Sequence, residues 1–108
     1  MYNTALVFDP EGKEIAKYRK THLFDIDIPG KATYKESDIF NAGDRACIVN
    51  TELGTFGLGI CYDIRFPELS LGLVKHGADI LIYPGNFSYH TGQLHWELLL
   101  KARALDTQ

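Results

Sequence analysis

A strand–helix–strand pattern between residues 55 and 85 most strongly limits the folds open to this chain. Residues 55–60 predict a strand that ends at Cys61, and Pro67 then opens a helical pattern that continues to residue 76. The run ADILIYPG, residues 78–85, is a short continuous apolar segment of the kind expected for a strand buried on both faces. Together these segments make a βαβ unit, which places the chain in the α/β class.

Further elements are predicted on both sides of this unit. A hairpin is expected from residues 2–8 and 14–18, joined by the turn sequence DPEG, and another extended pair from residues 46–50 and 55–60. Residues 21–43 show no lasting periodicity and are longer than most connections, which indicates a functional or lid-like loop. After the loop GNFSYHTG, residues 93–108 carry leucines in helical register and predict a last helix without a stop signal.

Composition limits the partners that are expected. The 108 residues carry 11 basic and 14 acidic side chains and no basic stripe, so nucleic acid is not an expected partner. No apolar run approaches the roughly 20 residues that span a bilayer, and no signal sequence is present, which predicts no membrane association and a cytoplasmic protein, with the mitochondrion as the alternative. The two cysteines and four histidines lack paired ligand spacing, so no metal site is expected.

Cys61 is either a small core residue or a nucleophile. A cysteine at a strand end, one turn before a helix, lies where backbone N–H groups and the helix dipole stabilise a thiolate. Nucleophile elbows have the same geometry. Free cysteine is also among the most buried residue types, so both interpretations stay open on this evidence. Cys47 lies within a predicted strand without such a turn and is interpreted as a core residue.

Four stretches of the sequence carry a family resemblance. KYRKTHL, GICYDIRFPEL, YPGNF and HWELLLKARALDTQ together resemble the carbon-nitrogen hydrolases of the nitrilase superfamily, in order and spacing, over nearly the whole chain. The resemblance implies part of a four-layer α-β-β-α sandwich that pairs into homodimers and uses no metal or organic cofactor. HLFDIDIPGK and YPGNF…TG look most like the omega-amidase branch, which hydrolyses the terminal amide of short dicarboxylic acid monoamides such as 2-oxoglutaramate and succinamate.

Two alternatives to omega-amidase activity are retained. The branch that acts on deaminated glutathione is the nearest competitor within the superfamily. A catalytically dead regulatory or interaction subunit on the same fold is the other. Substrate preference distinguishes the deaminated glutathione branch from the omega-amidase branch. The presence or absence of the general-base glutamate distinguishes an enzyme from a catalytically dead subunit.

The resemblance also assigns roles to individual residues. It implies that Cys61 is the nucleophile, which forms a thioester and releases ammonia, and that Lys20 is the catalytic lysine. A second acidic residue beside the active centre falls on Glu36, with Asp27 and Asp38 as competing carboxylates in the same loop. The chemistry requires such a set, because an amide is a poor electrophile and its hydrolysis needs a strong nucleophile and donors for the oxyanion.

Substrate contacts are predicted around the same centre. Arg65 is either the group that holds a substrate carboxylate by a bidentate contact or the partner of Asp63 or Glu68 in a structural ion pair. His22 is interpreted as a structural hydrogen-bonding residue and not as the base. Loop 83–87 follows a strand end, where α/β sheets bind ligands, and forms an expected pocket wall. The predicted substrate contacts are Tyr62, Arg65, Asn86 and Phe87.

The length of the chain leads to one more expectation. In the family, the general-base glutamate lies on a strand upstream of the first residue here, and a full sandwich needs roughly 250 residues or more. The 108 residues are therefore expected to be the central part of one carbon-nitrogen hydrolase domain, with N- and C-terminal parts missing, and to be inactive alone.

Overall fold

The computed structural model describes all 108 residues as seven strands, two α-helices and two short 3₁₀ segments. The strands are β1 Thr4–Phe8, β2 Glu14–Arg19, β3 Asp25–Ile28, β4 Ala32–Lys35, β5 Cys47–Thr51, β6 Gly54–Leu58 and β7 Ile80–Ile82. The helices are α1 Pro67–Lys75 and α2 Tyr89–Thr107, and the 3₁₀ segments are Glu36–Asp38 and Cys61–Arg65. The chain is therefore α/β, as predicted.

The predicted βαβ unit is confirmed. β5 pairs antiparallel with β6, and β7 pairs parallel with the other edge of β6 after the crossover through α1. α1 begins at Pro67, whose fixed φ suits a first helical turn, and it buries Leu73 against the sheet. Gly57 permits this close packing, because a Cβ there would meet the Cβ atoms of Leu73 and Ala78 at 3.0 and 3.1 Å.

β7 differs from its prediction in length and in burial. Only residues 80–82 are strand, and Ile80 and Ile82 are 44% and 41% exposed. The expectation of a strand buried on both faces is wrong for this chain. β7 is the edge strand of a three-stranded sheet, and its face that carries Ile80 and Ile82 is exposed.

The N-terminal hairpin packs on the same core. β1 and β2 pair antiparallel, and the Oδ1 atom of Asp9 accepts hydrogen bonds from the backbone N–H groups of Glu11 and Lys13 in the turn between them. Tyr18 of β2 forms a buried cluster with Leu58 and Ile60. This cluster joins the end of β2 to the end of β6, so it brings the residues that follow both strands to one side of the core.

The segment 21–43 contains regular structure that the sequence analysis did not predict. β3 and β4 form a hairpin in which Asp25 lies opposite Lys35, and the 3₁₀ segment Glu36–Asp38 follows. The expectation of an aperiodic loop is wrong here. Both strands have only four residues, which is the shortest length at which alternation indicates a strand. The sequence DIDI of β3 does alternate, but only Ile26 is partly buried, so the alternation does not mark a buried face.

α2 begins four residues earlier than predicted. Ser88 is its N-cap, and its hydroxyl accepts a hydrogen bond from the backbone N–H of Thr91 at 3.4 Å. The sequence analysis assigns Thr91 and Gly92 to the loop GNFSYHTG, but the serine cap starts the helix before them. Neither α1 nor α2 has the combination of length and apolar character that a membrane crossing requires.

Candidate active site

Cys61 lies at a sharp turn between β6 and the 3₁₀ segment Cys61–Arg65. Its φ of 47° is in the left-handed region, which residues other than glycine rarely adopt. Its N–H donates a hydrogen bond to the carbonyl of Pro84 at 2.8 Å. Gly85 permits this approach, because a Cβ there would lie 3.1 Å from the Cα of Cys61. A partly exposed cysteine on a strained turn at a strand end has the geometry of a nucleophile elbow.

Lys20 and Glu36 form a buried ion pair. Their side chains are 3% and 6% exposed, and the lysine Nζ lies 2.5 Å from Oε2 of the glutamate. The same Oε2 accepts a hydrogen bond from the backbone N–H of Phe24 at 2.7 Å, and Oε1 accepts one from the Asn3 side chain at 3.0 Å. The ammonium group of the lysine therefore has a fixed counter-charge inside the protein.

The pKa of Glu36 is lower than its usual value. Burial alone would raise it, but the hydrogen bonds from Lys20, Asn3 and Phe24 outweigh burial and favour the carboxylate. The competing carboxylates of this loop lie elsewhere, since Asp27 and Asp38 are exposed and Asp27 accepts a hydrogen bond from Thr33. Glu36 is the acidic residue that the structure brings to Lys20.

A cavity of about 1010 Å³ connects the predicted site residues. All seven of them line it, namely Lys20, Glu36, Cys61, Tyr62, Arg65, Asn86 and Phe87. The opposite walls come from β1 and from the β3–β4 hairpin, which contribute apolar side chains including Leu6, Ile26 and Tyr34. Apolar walls with a few convergent polar groups are typical of small-molecule sites.

Arg65 lies in the cavity wall without an acidic partner. Its guanidinium carbon is 5.8 Å from the ring centroid of Tyr62 and 5.4 Å from that of Phe87, and Nη2 lies 3.3 Å from Nδ1 of His95. No carboxylate lies within 4.0 Å of it, so the alternative of an ion pair with Asp63 or Glu68 is wrong. Within this chain, the positive charge of Arg65 therefore faces the cavity without a carboxylate partner.

The loop after β7 forms part of the cavity wall, with one exception. Residues 84–87 line the cavity, and the carbonyl oxygen of Asn86 lies 3.9 Å from the Sγ of Cys61. Phe87 makes an edge-to-face contact with Trp96 of α2, with ring centroids 5.1 Å apart. Tyr83 was expected in the wall but does not line the cavity, because its hydroxyl pairs with Ser70 at 2.7 Å.

Two other sequence interpretations have clear outcomes. Cys47 packs against the cluster that contains Tyr18, and burial raises the pKa of its thiol, so the core interpretation is confirmed. The backbone N–H of His22 donates to Asp63 at 2.9 Å, and its ring stacks on Phe66 with centroids 3.8 Å apart. The structural interpretation of His22 is thereby confirmed.

Sequence reasoning missed parts of the cavity wall and one buried acceptor. Phe24, Ser88 and Thr91 line the cavity, and of these only Ser88 had a local signal, as a serine before a helix. From the sequence, Asp63 is expected to orient the neighbouring cysteine or to pair with Arg65, but its hydrogen bonds to the β2 side of the site are not predicted; there its buried carboxylate accepts from Tyr18 and His22. No pattern along the sequence reveals such long-range contacts.

Comparison with known proteins gives consistent matches over the whole chain. The family model described as carbon-nitrogen hydrolase matches residues 1–108. A hydrolase of Schizosaccharomyces pombe is 59% identical over 108 residues, and human omega-amidase NIT2 is 51% identical over 108 residues. Both alignments cover 100% of this chain, which spans 34% and 39% of the lengths of these relatives.

Solved structures match the fold. Saccharomyces cerevisiae Nit3, a member of branch 10 of the nitrilase superfamily, superimposes with a TM-score of 0.84 at 43% identity, over 98% of this chain and 35% of that one. A variant of the amidase from Nesterenkonia sp. AN1 gives a TM-score of 0.81 at 25% identity, over 96% of this chain and 36% of that one. In that structure the acetamide moiety of fluoroacetamide is covalently attached to the active-site cysteine.

Proposed function

The chain belongs to the carbon-nitrogen hydrolase family, and on this basis we propose that the protein containing it hydrolyses the terminal amide of short dicarboxylic acid monoamides through a thioester on Cys61. Succinamate and 2-oxoglutaramate are the proposed substrates. One observation carries the proposal: the cysteine elbow shares a cavity with the buried Lys20–Glu36 pair and with Arg65, which has no counter-charge. The name of human omega-amidase NIT2 supports the choice of branch.

The proposed reaction has two halves. The Sγ of Cys61 attacks the amide carbon, and the negative charge that develops on the carbonyl oxygen is stabilised by the Lys20 ammonium and the backbone N–H of Tyr62. The general base removes the proton of the thiol and passes it to the nitrogen as the C–N bond breaks, so ammonia leaves and the acyl group stays on sulfur as a thioester. Water attacks the thioester, which releases the carboxylic acid and regenerates the thiol.

The proton transfers need a general base with an available lone pair. Glu36 is a poor choice, because three hydrogen bonds already occupy its oxygens and the lowered pKa of its carboxyl makes it a weak base. Its proposed role is to hold Lys20 as an oriented ammonium. The base is then the upstream glutamate that the family resemblance implies.

Arg65 is proposed to bind the free carboxylate of the substrate. The guanidinium lies near the faces of the Tyr62 and Phe87 rings, and of its nitrogens only Nη2 has a hydrogen-bond partner, His95, so donors remain for a planar anion. A carboxylate at one end of a short chain would then orient the amide at the other end toward Cys61. This arrangement favours a monoamide of a dicarboxylic acid over an uncharged amide of the same length.

The test compares specificity constants for three substrates of similar length. We expect kcat/KM for succinamate to exceed that for butyramide by on the order of a hundredfold, and the nitrile to react more slowly still. Arg65→Ala should abolish most of this preference. Arg45→Ala is the matched control, because Arg45 is an exposed arginine paired with its neighbour Asp44.

Each other outcome has a distinct meaning. Equal constants for succinamate and butyramide would overturn the carboxylate site. If Arg65→Ala keeps the preference for succinamate over butyramide, then a residue other than Arg65 binds the substrate carboxylate. A preference for a larger amide would favour the deaminated glutathione branch, and a protein that hydrolyses none of these compounds would support the catalytically dead subunit.

Two copies of the protein are proposed to associate as a homodimer. Leu94, Leu98 and Leu105 of α2 are 65%, 62% and 73% exposed, and their spacing puts them on one face of the helix. Exposed leucines along one helix face are typical of interaction surfaces. Sedimentation equilibrium of the protein and of a Leu98→Glu variant tests this, and a monomer at micromolar concentration would contradict it.

A cytoplasmic location stays a prediction, which cell fractionation tests.

A further inference from the structure

Asp63 is a fully buried carboxylate that accepts hydrogen bonds from two separate parts of the chain. Its Oδ2 accepts one from the hydroxyl of Tyr18 and one from the backbone N–H of Ile60, both at 2.8 Å. Its Oδ1 lies 2.7 Å from Nδ1 of His22, 2.9 Å from the backbone N of the same residue and 3.2 Å from Oγ1 of Thr21. Each oxygen therefore has more than one donor.

These donors flank the two residues to which catalysis is assigned. On the β2 side the donors are Tyr18, two residues before Lys20, and Thr21 and His22, the two residues after it. On the other side, Ile60 immediately precedes Cys61. Asp63 itself makes no hydrogen bond to either catalytic side chain. One carboxylate thus connects the lysine segment to the cysteine elbow without taking part in the chemistry.

We propose that Asp63 is a positioning residue that fixes the Cys61 elbow relative to the Lys20 segment. This inference rests on the proposed function, because the position of the lysine matters only if its ammonium acts on the sulfur and the oxyanion. It goes beyond that function by naming a residue outside the reacting atoms on which the rate depends.

Two physical features make a carboxylate necessary at this position. The bond from the Ile60 N–H to Oδ2 closes the turn around Cys61, whose left-handed backbone needs support from its surroundings. The five donor contacts also require an acceptor on both branches of the side chain. An asparagine amide offers one acceptor oxygen and turns an NH₂ group toward the other donors, so it cannot replace the carboxylate.

Tyr18 connects Asp63 to the hydrophobic core. Its ring belongs to the buried cluster at the ends of β2 and β6, and its hydroxyl is the donor to Oδ2. Burial raises the pKa of this hydroxyl, and the charge of Asp63 raises it further, so the group remains a donor over the physiological range. Removal of this hydroxyl alone takes away one support of Asp63 and leaves the ring in the core.

The experiment uses two variants at this contact and one control. Asp63→Asn is expected to lower kcat for succinamate by about 100-fold with little change in KM, since a small misplacement of catalytic groups has effects of that size. Tyr18→Phe should lower kcat by about tenfold. Tyr83→Phe is the matched control, because it also removes a tyrosine hydroxyl, a partly buried one that pairs with Ser70 on a side chain that does not line the cavity. We expect it to keep normal kcat.

A second readout does not depend on amidase activity. The rate at which iodoacetamide alkylates Cys61 should fall in Asp63→Asn and Tyr18→Phe and stay normal in Tyr83→Phe, with thermal stability measured in parallel. If the unchanged protein hydrolyses no amide, the proposed function fails, and these alkylation rates still test the positioning role. If Asp63→Asn does not fold, the comparison of Tyr18→Phe with Tyr83→Phe tests the positioning role.

The inference is overturned by either of two results. One is that Tyr18→Phe and Tyr83→Phe lower kcat and the alkylation rate equally, which would mean a general loss of stability. The other is that folded Asp63→Asn retains the kcat and the Cys61 reactivity of the unchanged protein.

Discussion

The buried ion pair between Lys20 and Glu36 makes a quantitative prediction about stability. The two side chains are 3% and 6% exposed, so a substitution of either one leaves the other charge buried without a counter-charge. Breaking a buried pair in this way costs about 3–5 kcal/mol of unfolding free energy. Lys20→Met should lower the unfolding free energy by an amount within this range. The double variant leaves no unpaired buried charge. Its loss of unfolding free energy should therefore be smaller than the sum of the losses in the two single variants.

The glutamate variant can be chosen so that charge is the main change. Lys20 and the backbone N–H of Phe24 both donate to Oε2 of Glu36, so the single oxygen of a glutamine at this position can accept both bonds. Its amide nitrogen then faces Asn3, whose own amide can rotate to accept. Glu36→Gln should therefore lose unfolding free energy at the lower end of the 3–5 kcal/mol range, which is about 3 kcal/mol. The coupling free energy between Glu36→Gln and Lys20→Met should be at least about 2 kcal/mol.

The assay is a double-mutant cycle measured by urea denaturation near neutral pH. It uses the protein that contains this chain, the two single variants and the double variant. The exposed pair Glu97–Lys101 on α2 is the matched control, with side chains 78% and 70% exposed. The same two types of substitution there should give a coupling below about 0.5 kcal/mol, because solvent screens the charges. Coupling at Lys20–Glu36 no larger than in this control would refute the reasoning.

Three more predictions concern the elbow, acid stability and the second cysteine. Gly85→Ala should lower kcat tenfold or more, since the added methyl would lie 3.1 Å from the Cα of Cys61, whereas Gly72→Ala meets nothing within 4 Å and should leave steady-state kinetics unchanged. Because the pKa of Glu36 is lowered in the folded state, its contribution to stability is present above the unfolded value near 4.5 and is lost as pH falls through the folded value. Glu36→Gln should therefore flatten the acid side of a plot of Tm against pH. Burial raises the pKa of Cys47, so peptide mapping after brief iodoacetamide treatment at pH 7 should find Cys61 labelled first, and preferential labelling of Cys47 would contradict the assignment.

Much of the fold could be predicted because its signals are local. The turn DPEG, the proline at the first turn of α1 and the apolar run of β7 each depend on a few neighbouring residues. The β3–β4 hairpin was not predicted, because its two strands have only four residues each and are mostly exposed, so their short pattern marks no buried face. The start of α2 was missed because a glycine in its first turn outweighed the serine cap that precedes it.

The site required the family resemblance as well as the local pattern. Periodicity indicates a cysteine at a strand end, but nothing in the spacing brings Lys20 to the same cavity as Cys61. The two residues follow different strands, β2 and β6, which belong to separate sheets and are joined through the core. The ion pair considered between Arg65 and Glu68 failed for a local reason. Phe66 between them is extended, with φ −106° and ψ 96°, so the two residues do not share a helix face.

The central claim is that Cys61 carries the acyl group during turnover. The most direct measurement is peptide mass spectrometry of the protein that contains this chain, mixed with succinamate and quenched in acid before turnover is complete. The account predicts a mass increase equal to one succinyl group on the peptide that contains Cys61, and no such adduct in Cys61→Ala. An adduct on Cys47, or product release by Cys61→Ala at the rate of the unchanged protein, would contradict it.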